Sequence, residues 1–243
     1  MKHILLTLFA FLSLSASAQQ FQRDTFKTVS GRDVVITCIK HATMQIKYDG
    51  RYIYVDPVST FKPVTDYTTM PVANYIIITH EHGDHFERTA LGQLTRPQTI
   101  TYCNPAVGRM LPNAMSMENG DSVTIGSGDI TLKAVPAYNT TPGREQFHPK
   151  GRDNGYVLTI DGLRIYIAGD TEDIPEMSQL KDIDVAFLPC NQPYTMTVEQ
   201  MVNAAKIIRP RVLFPYHYGD SMVSRARLLL HNTGINVRIR PYQ

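Results

Sequence analysis

The densest chemistry in the chain stands at Ile78–Phe86, ITHEHGDHF. His80, His82, Asp84 and His85 place four potential metal ligands within six residues, in a sequence that holds 8 histidines in all. Imidazole nitrogen suits zinc, iron or manganese, and a carboxylate can bind or bridge such ions. The run follows the short apolar stretch Tyr75-Ile76-Ile77-Ile78, so it reads as a loop at the end of a buried strand. A solvated loop has no use for the spacing His-x-His-x-Asp-His. A loop folded around divalent ions does.

Further ligands for such a site are scattered downstream. Asp170, in Ala168-Gly169-Asp170-Thr171, follows an apolar strand; metal binding is favoured over a simple turn cap. His217, in Pro215-Tyr216-His217-Tyr218, has the same context, and ligation is favoured over a hydrogen-bonded core histidine. His148, in Phe147-His148-Pro149-Lys150-Gly151, is read as a ligand rather than an incidental surface histidine: Pro149 stiffens its backbone and Gly151 permits a sharp turn. Lys150 and Arg152 beside it would suit an anionic group on a substrate. His41, in Lys40-His41-Ala42-Thr43, is balanced between a site residue and a structural histidine. His231 reads as a surface residue.

The elements that must position these groups are mostly strands. Val34–Ile39, Met44–Tyr48 and Tyr52–Val55 are β-branched or aromatic, and Asp49-Gly50 makes a tight hairpin between the last two. The clearest helix is Thr197–Ile208, where Thr197 and Gln200 fit a capping box and Val198, Met201, Ala205 and Ile208 share a face. An internal repeat pairs IKYDGRYIYVD (Ile46–Asp56) with LTIDGLRIYIAGD (Leu158–Asp170). A second echo pairs THEHGD (Thr79–Asp84) with PYHYGD (Pro215–Asp220). Together they predict two similar β-rich halves that deliver ligands from loops at strand ends.

The first residues, MKHILLTLFAFLSLSASAQQ, carry a basic start that includes His3, an apolar run from Ile4 to Leu14, and Ala16-Ser17-Ala18 before Gln19. That is the pattern of a cleaved secretory signal over residues 1–18, leaving 19–243 as one domain. The apolar run is shorter than the ~20 residues a bilayer crossing needs, so no stable membrane anchor is expected. Removing 18 residues leaves 225, and losing Lys2 leaves 23 basic against 22 acidic side chains. Near-neutral charge gives no electrostatic footprint for nucleic acid. Cys38, Cys103 and Cys190 are odd in number and widely spaced; one bridge is conceivable, with Cys190 as a candidate free thiol.

With these motifs in place, the chain resembles a metallo-β-lactamase superfamily hydrolase, similar to the branch that holds the ascorbate-phosphate lactonase and related metal-dependent hydrolases. The matching pieces run from about Val34 to Gly219. The resemblance implies an α/β, four-layer αββα sandwich with a dinuclear site on one edge. It implies that His80 and His82 bind a first ion, that Asp84, His85 and His217 bind a second, and that Asp170 bridges them. Asp56, in Val55-Asp56-Pro57, matches an aspartate that supports the metal loop without binding metal. One departure stands out: where the family supplies another first-ion histidine, this chain has Ala137-Tyr138-Asn139, and His148 nine residues on is expected to fill the place.

The implied chemistry is hydrolysis of a small ester, lactone or phosphodiester-type substrate by a hydroxide held between two divalent ions, zinc first, with manganese or iron as alternatives. Asp84 would orient that hydroxide and shuttle its proton. Three other readings compete. The Asp170 ligand weighs against a β-lactamase, export and neutral charge against an RNA-processing nuclease, and the aspartate beside His85 against a non-catalytic metal-binding or ligand-sensing protein. The signal reading has a direct check: protein recovered from the envelope fraction of its native cell should have the intact mass of a chain starting at Gln19. A cytoplasmic species starting at Met1 overturns the periplasmic or secreted location.

Overall fold

In the computed structural model, which describes residues 21–242, the strands form two seven-stranded sheets. The segment 1–18 expected to be cleaved lies outside the described residues. The first sheet runs β1 (Gln22–Lys27), β2 (Asp33–Lys40), β3 (Thr43–Tyr48), β4 (Arg51–Val55), β5 (Tyr75–Ile78), β6 (Ile100–Cys103) and β7 (Met115–Ser116), adjacent in chain order. Neighbours are antiparallel from β1 to β4 and parallel from β4 to β7. The second repeats this plan with β8 (Ser122–Ile125), β9 (Ile130–Ala137), β10 (Asp153–Ile160), β11 (Leu163–Ile167), β12 (Val185–Pro189), β13 (Val212–Tyr216) and β14 (Asn236–Val237). It too is antiparallel up to β11 and parallel beyond.

The repeat read from the sequence is therefore a structural one. Asp49 and Gly50 both take positive φ (48° and 74°), and so do Asp161 and Gly162 (45° and 83°). Asp-Gly tolerates that conformation, which matches the twist of the strands it joins. The second echo does not survive in the same way. THEHGD follows β5, whereas PYHYGD follows β13, whose counterpart in the first sheet is β6. The two loops sit one strand out of register, because short His-Gly-Asp strings say nothing about strand order.

Three apolar layers account for the expected four-layer sandwich. Between the sheets, Ile36, Ile46 and Ile53 meet Leu132, Leu158, Phe187 and Phe214. The Phe187 and Phe214 rings stack at 4.8 Å, and truncating either to alanine costs about 3–5 kcal/mol. Outside the first sheet, α1 (Arg88–Leu94) and α2 (Pro105–Met110) pack Ala90, Leu91, Leu94 and Val107 on Ile76 and Ile78. Outside the second, α3 (Val198–Ile208) and α4 (Arg225–Leu229) pack Met201, Ala205 and Ala226 on Leu188 and Leu213. Strand β5 is continuously apolar because both of its faces are covered: Ile77 faces the inner layer, Ile76 and Ile78 the outer.

The capping box of α3 forms as read. Thr197 Oγ1 accepts from Gln200 N at 3.0 Å, and Gln200 Oε1 accepts from Thr197 N at 2.8 Å. Such a cap stabilises the helix by about 1 kcal/mol. No described helix is long and apolar enough to cross a membrane.

All three cysteines are buried free thiols. Burial pushes each of them up to about 11, so at neutral pH the nucleophilic thiolate is scarce. A thiol reagent at pH 8 should label none of them on the native chain and all three after denaturation. Rapid native labelling of any one would contradict this packing.

Candidate metal centre

The carboxyl ends of strands that run in one direction converge on one edge of the sandwich. His41 follows β2, Asp56 follows β4, the Thr79–His85 loop follows β5, Asp170 comes shortly after β11, and His217 follows β13. His148 lies in the stretch leading into β10. Crevices beyond the carboxyl ends of parallel strands are where such sheets place ligands, since loops there are held by rigid strands.

Asp56 fixes the loop after β5. Its Oδ1 accepts from Thr79 N at 2.8 Å, and its Oδ2 accepts from Thr79 Oγ1 at 2.7 Å and from His85 Nδ1 at 2.8 Å. Thr79 Oγ1 in turn lies 3.0 Å from His80 Nδ1. With both Nδ1 atoms tied back, the Nε2 atoms of His80 and His85 are left to face the centre. This is how ligating histidines are held elsewhere.

His148 is brought to the place marked by Asn139. Asn139 N donates to His148 O at 2.8 Å, which closes residues 140–147 into a bulge. The Asn139 amide turns away and donates to Arg144 O and Tyr194 O at 3.3 and 2.8 Å. The His148 ring instead enters the cluster, 5.0 Å from the ring of His80 and 4.9 Å from that of His82. Its Nδ1 is 3.0 Å from Asp153 Oδ2, a buried carboxylate gripped by Arg152 through Nε and Nη2 at 2.7 and 2.8 Å.

Three groups of donors result, each with its ligand atoms within 4.8 Å of one another: His80, His82 and His148; His80, His85 and Asp170; and His41, Asp84, His85 and His217. Asp170 is shared. Its Oδ1 lies 3.3 Å from His85 Nε2, and its Oδ2 lies 3.3 Å from both His148 Nε2 and His217 Nε2. Asp84 Oδ2 is 3.1 Å from His41 Nε2 and 3.2 Å from His217 Nε2.

The donor set fits divalent ions. His80 Nε2, His85 Nε2 and Asp170 Oδ1 are buried with no hydrogen-bond partner, an expensive state for polar atoms unless a cation lies among them. Burial is also the main force pushing His80 well below, and His82 below, the ordinary imidazole range. Burial opposes charge on His85 too, but Asp170 and Asp56 outweigh it and hold that imidazolium well above its usual range. Burial would raise Asp170, yet His217 and His85 keep it far below the carboxylate range. Burial likewise opposes ionised Asp84, and hydrogen bonds from His217 and His41 override it downward. Without metal, the proton on His85 supplies part of the positive charge that Asp170 demands.

All seven residues predicted as metal ligands, His80, His82, Asp84, His85, His148, Asp170 and His217, meet in this cluster. His41, left open by the sequence, joins them. Asp153 was missed, because nothing in Arg152-Asp153-Asn154 marks a carboxylate that faces a histidine five positions earlier. Lys150 and Arg152, read as suited to an anionic group, each have a carboxylate partner in the structure. Lys150 Nζ bonds Glu176 Oε1 at 2.9 Å and Tyr138 Oη at 3.1 Å. Arg152 is bound by Asp153 and lies 3.3 Å from Glu81 Oε1.

A two-sheet sandwich with histidines and aspartates gathered at one edge defines a metallohydrolase class, and comparison with known proteins agrees. Residues 35–217 match the beta-lactamase superfamily domain. A UPF0173 metal-dependent hydrolase from Ligilactobacillus salivarius is 33% identical over 192 residues, covering 75% of this chain and 84% of the relative. The crystal structure of a metal-dependent hydrolase from Parabacteroides distasonis is 52% identical with a TM-score of 0.89, covering 92% of this chain and 100% of that one. A metallo hydrolase from Ignicoccus hospitalis, 24% identical, shares the fold with a TM-score of 0.71 over 85% of this chain and 94% of that one. The chain belongs to the metallo-β-lactamase superfamily and is a metal-dependent hydrolase.

The Asp56 network generates a test. Asp56→Asn removes the charge behind His85 and should weaken metal binding roughly 10–100-fold, as loss of a supporting carboxylate does. In the parent chain, metal uptake must displace the His85 proton, so apparent affinity should rise with pH until His85 is neutral. Chelator competition at pH 6 and pH 8 measures both effects. Equal affinity at the two pH values would contradict the protonated state assigned to metal-free His85.

Proposed function

We propose that the chain hydrolyses a small ester, lactone or phosphodiester-type substrate using two divalent ions, with zinc as the first choice of metal and manganese or iron as alternatives. The observation that carries this reading is the position of Asp170 between two groups of histidines, with its own Oδ1 and the Nε2 atoms of His80 and His85 buried and unpartnered. His80, His82 and His148 would hold one ion, His85, His217 and Asp84 the other, and Asp170 would contribute to both. When bound, the pair supplies Lewis acidity and a water acidified towards neutral pH.

The rest is done by the chain. Asp84 is the exposed carboxylate of the cluster, its side chain 32% accessible against 3% for Asp170. Held ionised by His41 and His217, it faces the side from which water and substrate arrive, so it orients the attacking water and accepts its proton. The Asp56–Thr79 and Asp153–Arg152 pairs keep the histidine rings from rotating, which fixes where negative charge can be stabilised as the tetrahedral or pentacoordinate centre develops. With Lys150 and Arg152 already paired to carboxylates, recognition of an anionic substrate is not assigned to them. We place this chemistry outside the cytoplasm, on the strength of the signal-like first 18 residues.

Metal analysis of the purified protein should give about two ions per chain, and His217→Ala and Asp170→Ala should each lower the occupancy. A screen over lactones, phosphodiesters and β-lactams should find turnover that a chelator abolishes and added zinc restores. Unchanged occupancy in both variants, or turnover indifferent to chelator, would remove the proposal.

A further inference from the structure

We infer that the chain carries a second binding site, on the outer face of the second sheet, which takes a small amphiphilic carboxylate as an effector of the metal centre. Helices α3 and α4 pack on Leu188 of β12 and Leu213 of β13. Beside β11 lies only a short helical turn, Pro175–Gln179. A cavity of about 290 Å³ opens between that turn and the outer face of β9, β10 and β11. Small-molecule sites start near roughly 300 Å³, so a single ring with a short side chain is the right size.

Strand register sets what the cavity offers. Val157 of β10 pairs with Lys133 of β9 on one side and with Tyr166 of β11 on the other. Their chain neighbours Ala134, Leu158 and Ile165 belong to the core between the sheets. Alternation along a strand therefore turns Lys133, Val157 and Tyr166 outward, in one row across the face. Val135, Ile174, Met177 and Leu180 complete an apolar lining.

Tyr166 is what points to a ligand. It is 1% exposed and lines the cavity, yet among the described residues its hydroxyl has no hydrogen-bond partner. Buried tyrosines usually find one: Tyr156 and Tyr216 donate to Ile78 O and Gly169 O at 3.1 and 3.3 Å. A buried donor without a partner carries its desolvation cost uncompensated, and a ligand oxygen removes that cost.

Charge on the rim selects an anion. Lys133 is exposed, and the side chain of Arg164 donates through Nε to Lys181 O at 3.1 Å, leaving its two terminal nitrogens to the cavity side. Glu176 is the one carboxylate among the lining residues. It is already bonded to Lys150 Nζ and Tyr138 Oη at 2.9 and 2.8 Å. A ligand carboxylate can accept from Tyr166 Oη and face these cations, while an apolar body covers Val135, Val157 and Met177.

Two walls of the cavity lead to the metal centre. Ile174 and Met177 stand on the segment that follows Asp170, and Thr171 Oγ1 on that segment accepts from Tyr138 N at 3.1 Å. On the β9 side, Asn119 Nδ2 donates to Val135 O at 3.4 Å and to Asp153 O at 3.0 Å. Asp153 is the carboxylate behind His148. A ligand that draws these walls together bears on Asp170 and His148 at once. Linkage makes the effect mutual: the ligand changes metal affinity by the factor by which metal changes the ligand's.

The test uses the full chain, metal-free and zinc-loaded, with hydrocinnamate as the probe and hydrocinnamyl alcohol as its uncharged counterpart. Amide chemical shifts and calorimetry follow binding, and chelator competition with and without probe reads zinc affinity. Tyr166→Phe keeps the ring and Lys133→Met keeps the apolar stem; thermal melts check folding, and without probe both should hold zinc as the parent does. The acid should bind saturably and shift amides around Val135, Val157 and Met177. The alcohol, and the acid on either variant, should bind about tenfold more weakly. Saturating acid should change the parent's zinc affinity by about fivefold or more. No saturable binding, or equal binding of acid and alcohol to parent and variants, overturns the site. Shifts confined to His82 and Asp84 mean that the acid ligates metal instead, and overturn it too. Binding that leaves the parent's zinc affinity within about twofold overturns the effector role. The number of ions per chain enters none of these readouts, so the two-ion reading stands or falls separately.

Discussion

The carboxylate of Asp56 is the interaction on which the centre depends. It is completely buried, sits at φ 43°, and its own backbone N–H donates to Ile77 O at 2.9 Å. From there it holds Thr79 twice and His85 once, and through Thr79 Oγ1 it reaches His80. Four polar atoms of the loop after β5 are thereby aligned by one side chain. A buried carboxylate is costly unless its oxygens are used; here they are used to aim two ring nitrogens away from Asp56 and into the crevice. Rigid aim, more than the mere presence of histidine, separates a metal site from a cluster of polar side chains.

The repeated halves explain why a second carboxylate arrives opposite the first. Asp49-Gly50 and Asp161-Gly162 align the hairpins, so Val55 corresponds to Ile167 and Asp56 to Ala168. Asp170 falls two residues later, beyond Gly169. Gly169 has φ 66°, and a Cβ there would come within 2.8 Å of Asn154 O, so only glycine makes the turn. The first half ends its strand on an aspartate that looks back into the fold. The second adds Ala-Gly and swings its aspartate out to meet His85, His148 and His217. One architecture thus yields a carboxylate that supports the loop and one that joins the histidine cluster, from equivalent strands. The Tyr216 hydroxyl, donating to Gly169 O at 3.3 Å, ties the end of β13 to this turn and so sets His217 relative to Asp170.

What the sequence disclosed follows from what is local. His-x-His-x-Asp-His is readable because four ligands share one loop; the strands are readable because Ile76–Ile78 and the Asp-Gly hairpins obey period and turn chemistry. His148 was legible as a candidate from its stretch of chain, but its partner Asp153 was not, because the ring and the carboxylate meet only when residues 140–147 loop out. The carboxylate partners of Lys150 and Arg152 were not legible because Glu176 and Glu81 come from other elements, 26 and 71 positions away in sequence. The THEHGD and PYHYGD echo misled for the related reason that strand order is decided by long-range pairing. His41 stayed open until Asp84, His217 and Phe61 were placed around it.

The accessibility of the centre is uneven, and that unevenness gives the site a direction. His80, His85, His148, Asp170 and His217 are buried, whereas His82, Asp84 and His41 reach solvent. On the proposed reading, substrate would approach across His82, Asp84 and His41, with Phe61 stacked on the His41 ring. On the other side the 140–147 bulge carries Phe147, whose ring meets Tyr194 edge-on at 5.1 Å. Aromatic faces at the two shoulders offer apolar contact area, while the cations near His148 are already neutralised by Glu81, Asp153 and Glu176. On the proposed reading, the scissile bond would be polarised from the buried side and the water and its proton handled from the exposed side by Asp84, with the carboxylate of Asp170 between the two.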